Sequence, residues 1–181
     1  AGLDRTCGGW YSYHINPSEL LGIKKVIVMK LSTKGRYGLR ALLDLALHNE
    51  EEAVSLQSIA ERQNISMGYL EQLMRMLKRE GLVSSVRGAG GGYHLAKPAA
   101  EISVGDILRA LEGNLDAVTC PGNQENGGCQ GADLCVTRFV WQRINDSITQ
   151  AVDTMMLKQL VEESRRLQKE KGQVPALICE N

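Results

Sequence analysis

The sequence predicts a mainly α protein: a winged helix-turn-helix domain with a small β-hairpin wing, followed by a long C-terminal dimerisation helix. Three patterns carry this prediction. From Thr33 to Arg79, apolar residues recur at spacings of three and four in segments separated by cap and turn residues. Next, residues 82–86 and 93–95 have strand character and enclose the glycine-rich stretch RGAGGG at 87–92. After Cys135, Val140, Ile144, Ile148, Val152 and Met155 form one long helical stripe.

Residues 1–28 lack a clear period and read as an appended, upstream-encoded or disordered N-terminal extension, with one short strand possible at 25–28. They do not have the basic start, apolar stretch and small-residue cleavage site of a signal peptide. Met29 looks like a natural start. The first helix begins near Thr33, with Leu39, Leu42, Leu43, Ala46 and Leu47 on one face. Asn49 and Glu50–Glu52 end it, and Val54 suits a short strand. Ser55 can cap a second helix that turns Leu56, Ile59 and Ala60 inward. Asn64-Ile65-Ser66 reads as a tight turn; Ser66 caps the third helix, and Ile65 can staple onto Leu70.

The third helix buries Leu70, Leu73 and Leu77 and exposes Glu71, Gln72, Arg75 and Arg79. Gly81 can stop it in the left-handed conformation. The hairpin follows, and then a fourth helix over 104–112 capped by Ser103. The final helical pattern runs to about Lys171; about 35 helical residues span roughly 50 Å, more than a small domain needs, and such a helix suits a second copy. The domains expected are 29–97 (winged helix), 98–136 (connecting helix and cysteine loop), 137–171 (dimerisation helix) and 172–181 (flexible tail).

A helix-turn-helix with a wing sets its second helix in the major groove of double-stranded DNA. Gln72 can pair with an adenine edge, Glu71 can accept from cytosine, and Arg75 can reach guanine or phosphate. Arg87, at a glycine-rich tip, suits a narrow, electronegative minor groove. The glycine run is no phosphate loop, because neither Lys-Ser/Thr nor a helix start follows it.

Cys120, Cys129 and Cys135 form C-x8-C-x5-C in a stretch of small residues, while Cys7 and Cys179 sit near the ends. Thiolates are soft ligands suited to iron–sulfur clusters or zinc. Zinc generally takes closer pairs, and three ligands are one short of four for either. No catalytic set of Ser, His, Asp or Cys appears, so the chain does not read as an enzyme. Aromatics at 4% provide no stacking platform for single strands. No run of about 18 apolar residues occurs to span a membrane.

The 181 residues hold 21 Lys+Arg and 21 Asp+Glu, a balance that at first argues against DNA. It resolves into parts. Residues 29–97 carry 10 basic and 7 acidic side chains, and residues 98–181 carry 8 and 12. A mildly basic reading head is joined to an acidic half, so base and shape readout must add to phosphate contacts.

Four stretches carry a family resemblance: MKLSTKGRYG from Met29, ISMGYLEQL from Ile65, GLVSSVRGAGGGY from Gly81 and GCQGADLC from Gly128. They resemble the IscR family of iron–sulfur cluster regulators, BadM-type winged-helix transcription regulators, over about 29–167. The resemblance implies a bacterial, cytoplasmic, homodimeric regulator with a 2Fe–2S cluster on Cys120, Cys129 and Cys135, controlling cluster-assembly genes and loaded by cluster-assembly proteins. It implies that Ser66, Glu71 and Gln72 read the major groove and Arg87 the minor groove, with Glu71 discriminating between promoter classes. Two positions depart from the family pattern. The first cysteine spacing is longer, and Arg138 stands where the family has a histidine as fourth ligand. By resemblance to related regulators, Asp44 or His48 of the partner subunit is the candidate replacement. A nitric-oxide-sensing cluster regulator of the same fold, or an electron-transfer or cluster-carrier protein, are the alternative readings.

Overall fold

The computed structural model describes residues 32–49, 53–88, 90–120 and 129–171. The expected extension at 1–28, Glu50–Glu52, the whole loop between Cys120 and Cys129, and the tail at 172–181 lie outside the described residues, with Cys7 and Cys179.

Helix α1 (Thr33–His48) is capped by Ser32, whose hydroxyl accepts from Lys34 N at 3.0 Å. Its buried face carries Ala41, Leu42 and Leu45. Helix α2 (Leu56–Gln63) starts at Ser55, which accepts from Ser58 N at 3.1 Å. It ends at Asn64 with φ of 51°, a left-handed turn that asparagine tolerates better than most residues. Helix α3 (Met67–Arg79) follows at once and buries Leu70, Leu73, Met74 and Leu77. Ile65 and Leu70 are both buried in the same core, as the staple requires. Gly81, at φ 68°, turns the chain out of α3.

The wing consists of β1 (Val83–Val86) and β2 (Gly92–Leu95), antiparallel, with Val83 opposite Leu95 and Val86 opposite Gly92. Gly92 was expected in the irregular tip, yet it belongs to the strand. Val54 bridges Tyr93 through two backbone hydrogen bonds of 3.0 and 2.8 Å, the short strand expected there. A Cβ on Gly92 would crowd the Val54 carbonyl, so that bridge needs glycine.

Helix α4 (Val104–Glu112) carries a full capping box: Asp106 N donates to Ser103 Oγ, and Ser103 N to Asp106 Oδ2, each at 3.0 Å. It packs along α1, where Gly38 leaves no room for a Cβ beside Leu111. At its far end Glu112 Oε1 accepts from Ser32 N, Ser32 Oγ and Gly35 N at 3.0, 2.6 and 2.9 Å. One carboxylate thus satisfies donors at the α1 N-terminus that no helical carbonyl can reach.

The last helical stretch corrects the sequence reading. Residues 137–171 form two helices, α5 (Thr137–Asp153) and α6 (Leu157–Lys171), rather than one. At the break, Val104 N donates to Met155 O and Leu157 N to Ile102 O, each at 2.8 Å, and Ser103 pairs with Met156. This strand-like pairing takes the backbone out of the helix and buries Leu157 completely against the core. Helix α6 then returns onto α1. Its charges pair along the helix: Arg166 holds Glu163 and Glu170, and Lys158 faces Glu162. No described helix is long and apolar enough to cross a membrane.

Candidate DNA-binding face and cysteine site

The apolar stripe of α3 faces inward, which leaves Glu71, Gln72 and Arg75 on its exposed side. Ser66 occupies the N-cap position without using its hydroxyl as a cap, so that group stays exposed. Gln72 and Arg87 form no side-chain hydrogen bond among the described residues, and both are exposed. Arg75 reaches Glu71 at 3.4 Å, a long contact between exposed groups that holds neither firmly. The five residues expected to read DNA are therefore exposed. Arg87 directly follows β1, and the wing is tied to α3 by Lys78 Nζ donating to Ser85 Oγ at 2.5 Å.

Two features of this face escape the sequence. The Tyr69 hydroxyl contacts Thr33 Oγ1 at 3.2 Å, and its ring meets Tyr37 edge-on with centroids 6.0 Å apart. This bracket sets the first turn of α3 beside the first turn of α1. Lys34 and Arg36, both exposed, thereby border the reading helix, and Arg36 stacks over Tyr37 at 6.0 Å. Their cations suit phosphates flanking the groove.

Asp44 corrects a sequence expectation. It is only 3% exposed, and it accepts from Arg62 Nε at 3.0 Å, Arg62 Nη2 at 2.7 Å and Gln63 Nε2 at 3.0 Å. Its carboxylate is spent in fastening α1 to α2 and is not presented to a cluster on another subunit. His48 turns Nδ1 onto the Asp44 carbonyl at 2.8 Å, and its side chain is partly exposed.

Cys120, Cys129 and Cys135 are free thiols, half-buried, exposed and half-buried in turn. The arm leading to Cys120 is clamped by Asn145 of α5: Ala117 N donates to Asn145 Oδ1 at 3.0 Å, and Asn145 Nδ2 donates to Val118 O at 3.0 Å. Cys129 and Cys135 bracket a short 3₁₀ turn (Ala132–Leu134), with Ala132 N on Cys129 O at 3.2 Å. Cys135 Sγ lies 3.1 Å from Thr137 Oγ1. The Thr137 hydroxyl, then the Arg138 backbone N–H and the Arg138 charge, hold the Cys135 thiol below its ordinary range, favouring thiolate. Among the described residues no three His, Cys, Asp or Glu side chains converge as a metal site. The donor chemistry nonetheless fits an iron–sulfur cluster: three soft thiols, one already biased to its ligating form, on a glycine-containing turn beside a cation.

Comparison with known proteins agrees with this geometry. A family model described as Rrf2, iron-dependent transcriptional regulator, matches residues 31–163. The HTH-type transcriptional regulator IscR of Pectobacterium carotovorum is 48% identical over 133 residues, covering 74% of this chain and 79% of that protein. IscR of Escherichia coli K12 is 47% identical over 133 residues, covering 74% and 80%. Among solved structures, T. potens IscR superposes with a TM-score of 0.62 at 44% identity, over 77% of this chain and 90% of that one. CymR, the global cysteine regulator of B. subtilis, gives 0.62 at 41% identity over 74% and 97%. The winged helix, the exposed reading helix and these matches together establish that the chain belongs to the Rrf2 family of transcriptional regulators.

Proposed function

We propose that the chain acts as a cytoplasmic homodimer that couples iron–sulfur status to promoter binding, controlling genes of cluster biogenesis. The observation that carries this reading is the thiol set, placed between α4 of the reading head and α5. Cys120, Cys129 and Cys135 would hold a 2Fe–2S cluster, delivered by cluster-assembly proteins. Such a cluster supplies a redox couple and a lability to oxidants. The chain supplies the coupling. Cys120 follows the Asn145 clamp, Cys135 opens α5, and Glu112 at the start of the loop caps α1. A cluster held on these three cysteines would bias α1, α4 and α5 together, and the reading heads with them.

The homodimer reading is supported by α5. Its 17 residues include no buried side chain, and Phe139, Val140 and Ile144 are exposed on it. An isolated helix of this kind is marginal in water, and a second copy of the chain would cover that face. In the dimer, Ser66, Glu71, Gln72 and Arg75 address the major groove and Arg87 the minor groove, while Lys34 and Arg36 meet phosphates.

The test is anaerobic purification with iron and sulfide analysis, optical spectra and promoter footprinting. Iron and sulfide in near-equal amounts are expected, with footprints that change when all three cysteines are replaced by Ala. A protein that takes up no iron on reconstitution, together with unchanged footprints in the triple variant, sinks the sensing role.

A further inference from the structure

The Nε of Arg138 is the only buried side-chain nitrogen or oxygen among the described residues without a hydrogen-bond partner. Arg138 lies three residues beyond Cys135 and donates its backbone N–H to the Cys135 carbonyl at 3.2 Å. Its side chain folds back over the turn between Cys129 and Cys135, where Nη1 reaches Ala132 O at a long 3.5 Å. Among the described residues no carboxylate pairs with it. A half-buried guanidinium whose buried Nε has no partner and whose Nη1 contact is slack is an incomplete arrangement, because buried polar atoms are nearly always satisfied. Arginine cannot ligate iron, since it keeps its protons. It can donate to what the thiolates hold. An iron–sulfur core on thiolates is rich in sulfur acceptors and carries net negative charge.

We propose that Arg138 is a positioning residue of the cysteine site, its Nε–H donating to a sulfur of the bound iron–sulfur cluster. This rests on the cluster reading above. The guanidinium then satisfies its orphaned donor only in the loaded protein, and it offsets the anionic charge of the cluster. Hydrogen bonds to cluster sulfurs raise the reduction potential, so Arg138 stabilises the reduced form relative to the oxidised one.

The test uses the full chain reconstituted anaerobically with ferrous iron and sulfide, as wild type, Arg138→Lys and Arg138→Met. Three quantities are read: iron and sulfide per chain, the midpoint potential, and the melting temperature of the iron-free form. Lysine keeps the charge but has no donor at the Nε position; methionine keeps the stem and loses both. Lower potentials are expected in both variants, with the oxidised-to-reduced ratio at fixed ambient potential shifted about tenfold, or about 59 mV for a one-electron couple. The iron-free Arg138→Met variant is expected to melt no lower than wild type, because it deletes an unsatisfied donor. Variants that lose iron while their iron-free fold melts like wild type also support the assignment. Equal loading with unchanged potentials overturns it while leaving the cluster reading intact. A potential retained by lysine and lost by methionine overturns the hydrogen bond in favour of charge alone. Iron-free variants that melt well below wild type reveal a purely structural role. A wild-type chain that binds no iron overturns the cluster reading and this assignment together.

Discussion

Arg109 Nη2 on α4 donates to both carboxylate oxygens of Asp153, the last residue of α5, at 2.7 Å each. The pair raises the guanidinium pKa, through the Asp153 hydrogen bond against a smaller desolvation effect. Asp153 approaches over Gly105, where any Cβ would overlap its carboxylate. One ion pair and one missing side chain therefore fix where α5 leaves the reading head. In a dimer built on α5, that exit angle sets the separation of the two reading helices, and hence the half-site spacing.

Asp153→Asn should keep the fold and loosen this joint. Both side chains are about 39% exposed, so solvent screening holds the stability cost to about 1 kcal/mol. The functional effect should be larger than that cost suggests. Binding to a correctly spaced two-half-site operator should weaken, while binding to a single half-site stays level. Urea titration and gel-shift assays on the two DNAs measure the two effects separately.

Gly38→Ala tests the contact of α1 with α4. The added methyl would overlap Leu111 Cδ1, a buried side chain with little space to retreat. Overpacking of this kind costs about 1–3 kcal/mol. The urea midpoint should fall with the m-value unchanged, because the surface exposed on unfolding is the same.

These joints also mark what the sequence could and could not disclose. The caps at Ser55 and Ser103 and the left-handed stop at Gly81 depend on neighbouring residues, so local pattern revealed them. The break at 154–156 did not show, because apolar residues keep their helical spacing across it and neither Gly nor Pro interrupts. Only the pairing of Met155 and Leu157 with a segment some fifty residues earlier separates α5 from α6. Asp44 looked available for the same reason: its partners Arg62 and Gln63 lie eighteen and nineteen residues away. Nothing in the sequence singles out Asn145, and only the fold places it on the arm of Cys120.

Asp44→Asn separates two roles that the sequence left open. Arg62 would lose its counter-charge inside the α1–α2 contact. Removing one partner of a fully buried pair costs about 3–5 kcal/mol; here Arg62 is 34% exposed, so about 2–3 kcal/mol is expected. Iron per chain after reconstitution should match wild type, because the carboxylate serves the fold. Iron lost in a chain that remains folded at the assay temperature would restore Asp44 as a ligand.

Thr137→Val probes the thiolate bias at Cys135. The Thr137 hydroxyl is the first cause holding that thiol below its usual range. Thiolate is the reactive form, so alkylation of iron-free protein is slow below the thiol pKa and fast above it. Deleting the hydroxyl should move the midpoint of the Cys135 rate–pH curve upward and slow alkylation at neutral pH. Mass-spectrometric labelling resolves Cys135 from Cys120 and Cys129, and an unmoved midpoint would remove Thr137 from the site.

The reading face predicts two different signatures in DNA binding. Gln72→Ala deletes a side chain that has no partner of its own within the described residues, so the free protein loses little stability. If Gln72 reads a base edge, the variant should lose about 1–3 kcal/mol on the preferred operator and little on DNA altered at that base pair. Arg36→Ala should instead weaken binding to every sequence alike. It should also flatten the dependence of log K on log salt by about one unit per contact removed, because one fewer counterion is released. The Tyr37–Tyr69 bracket stays in place in that variant, so α3 keeps its position while the phosphate contact goes. Titrations at several salt concentrations with matched and mutated operators distinguish the two, and an Arg36 effect confined to one operator would mean that it reads sequence or shape rather than charge.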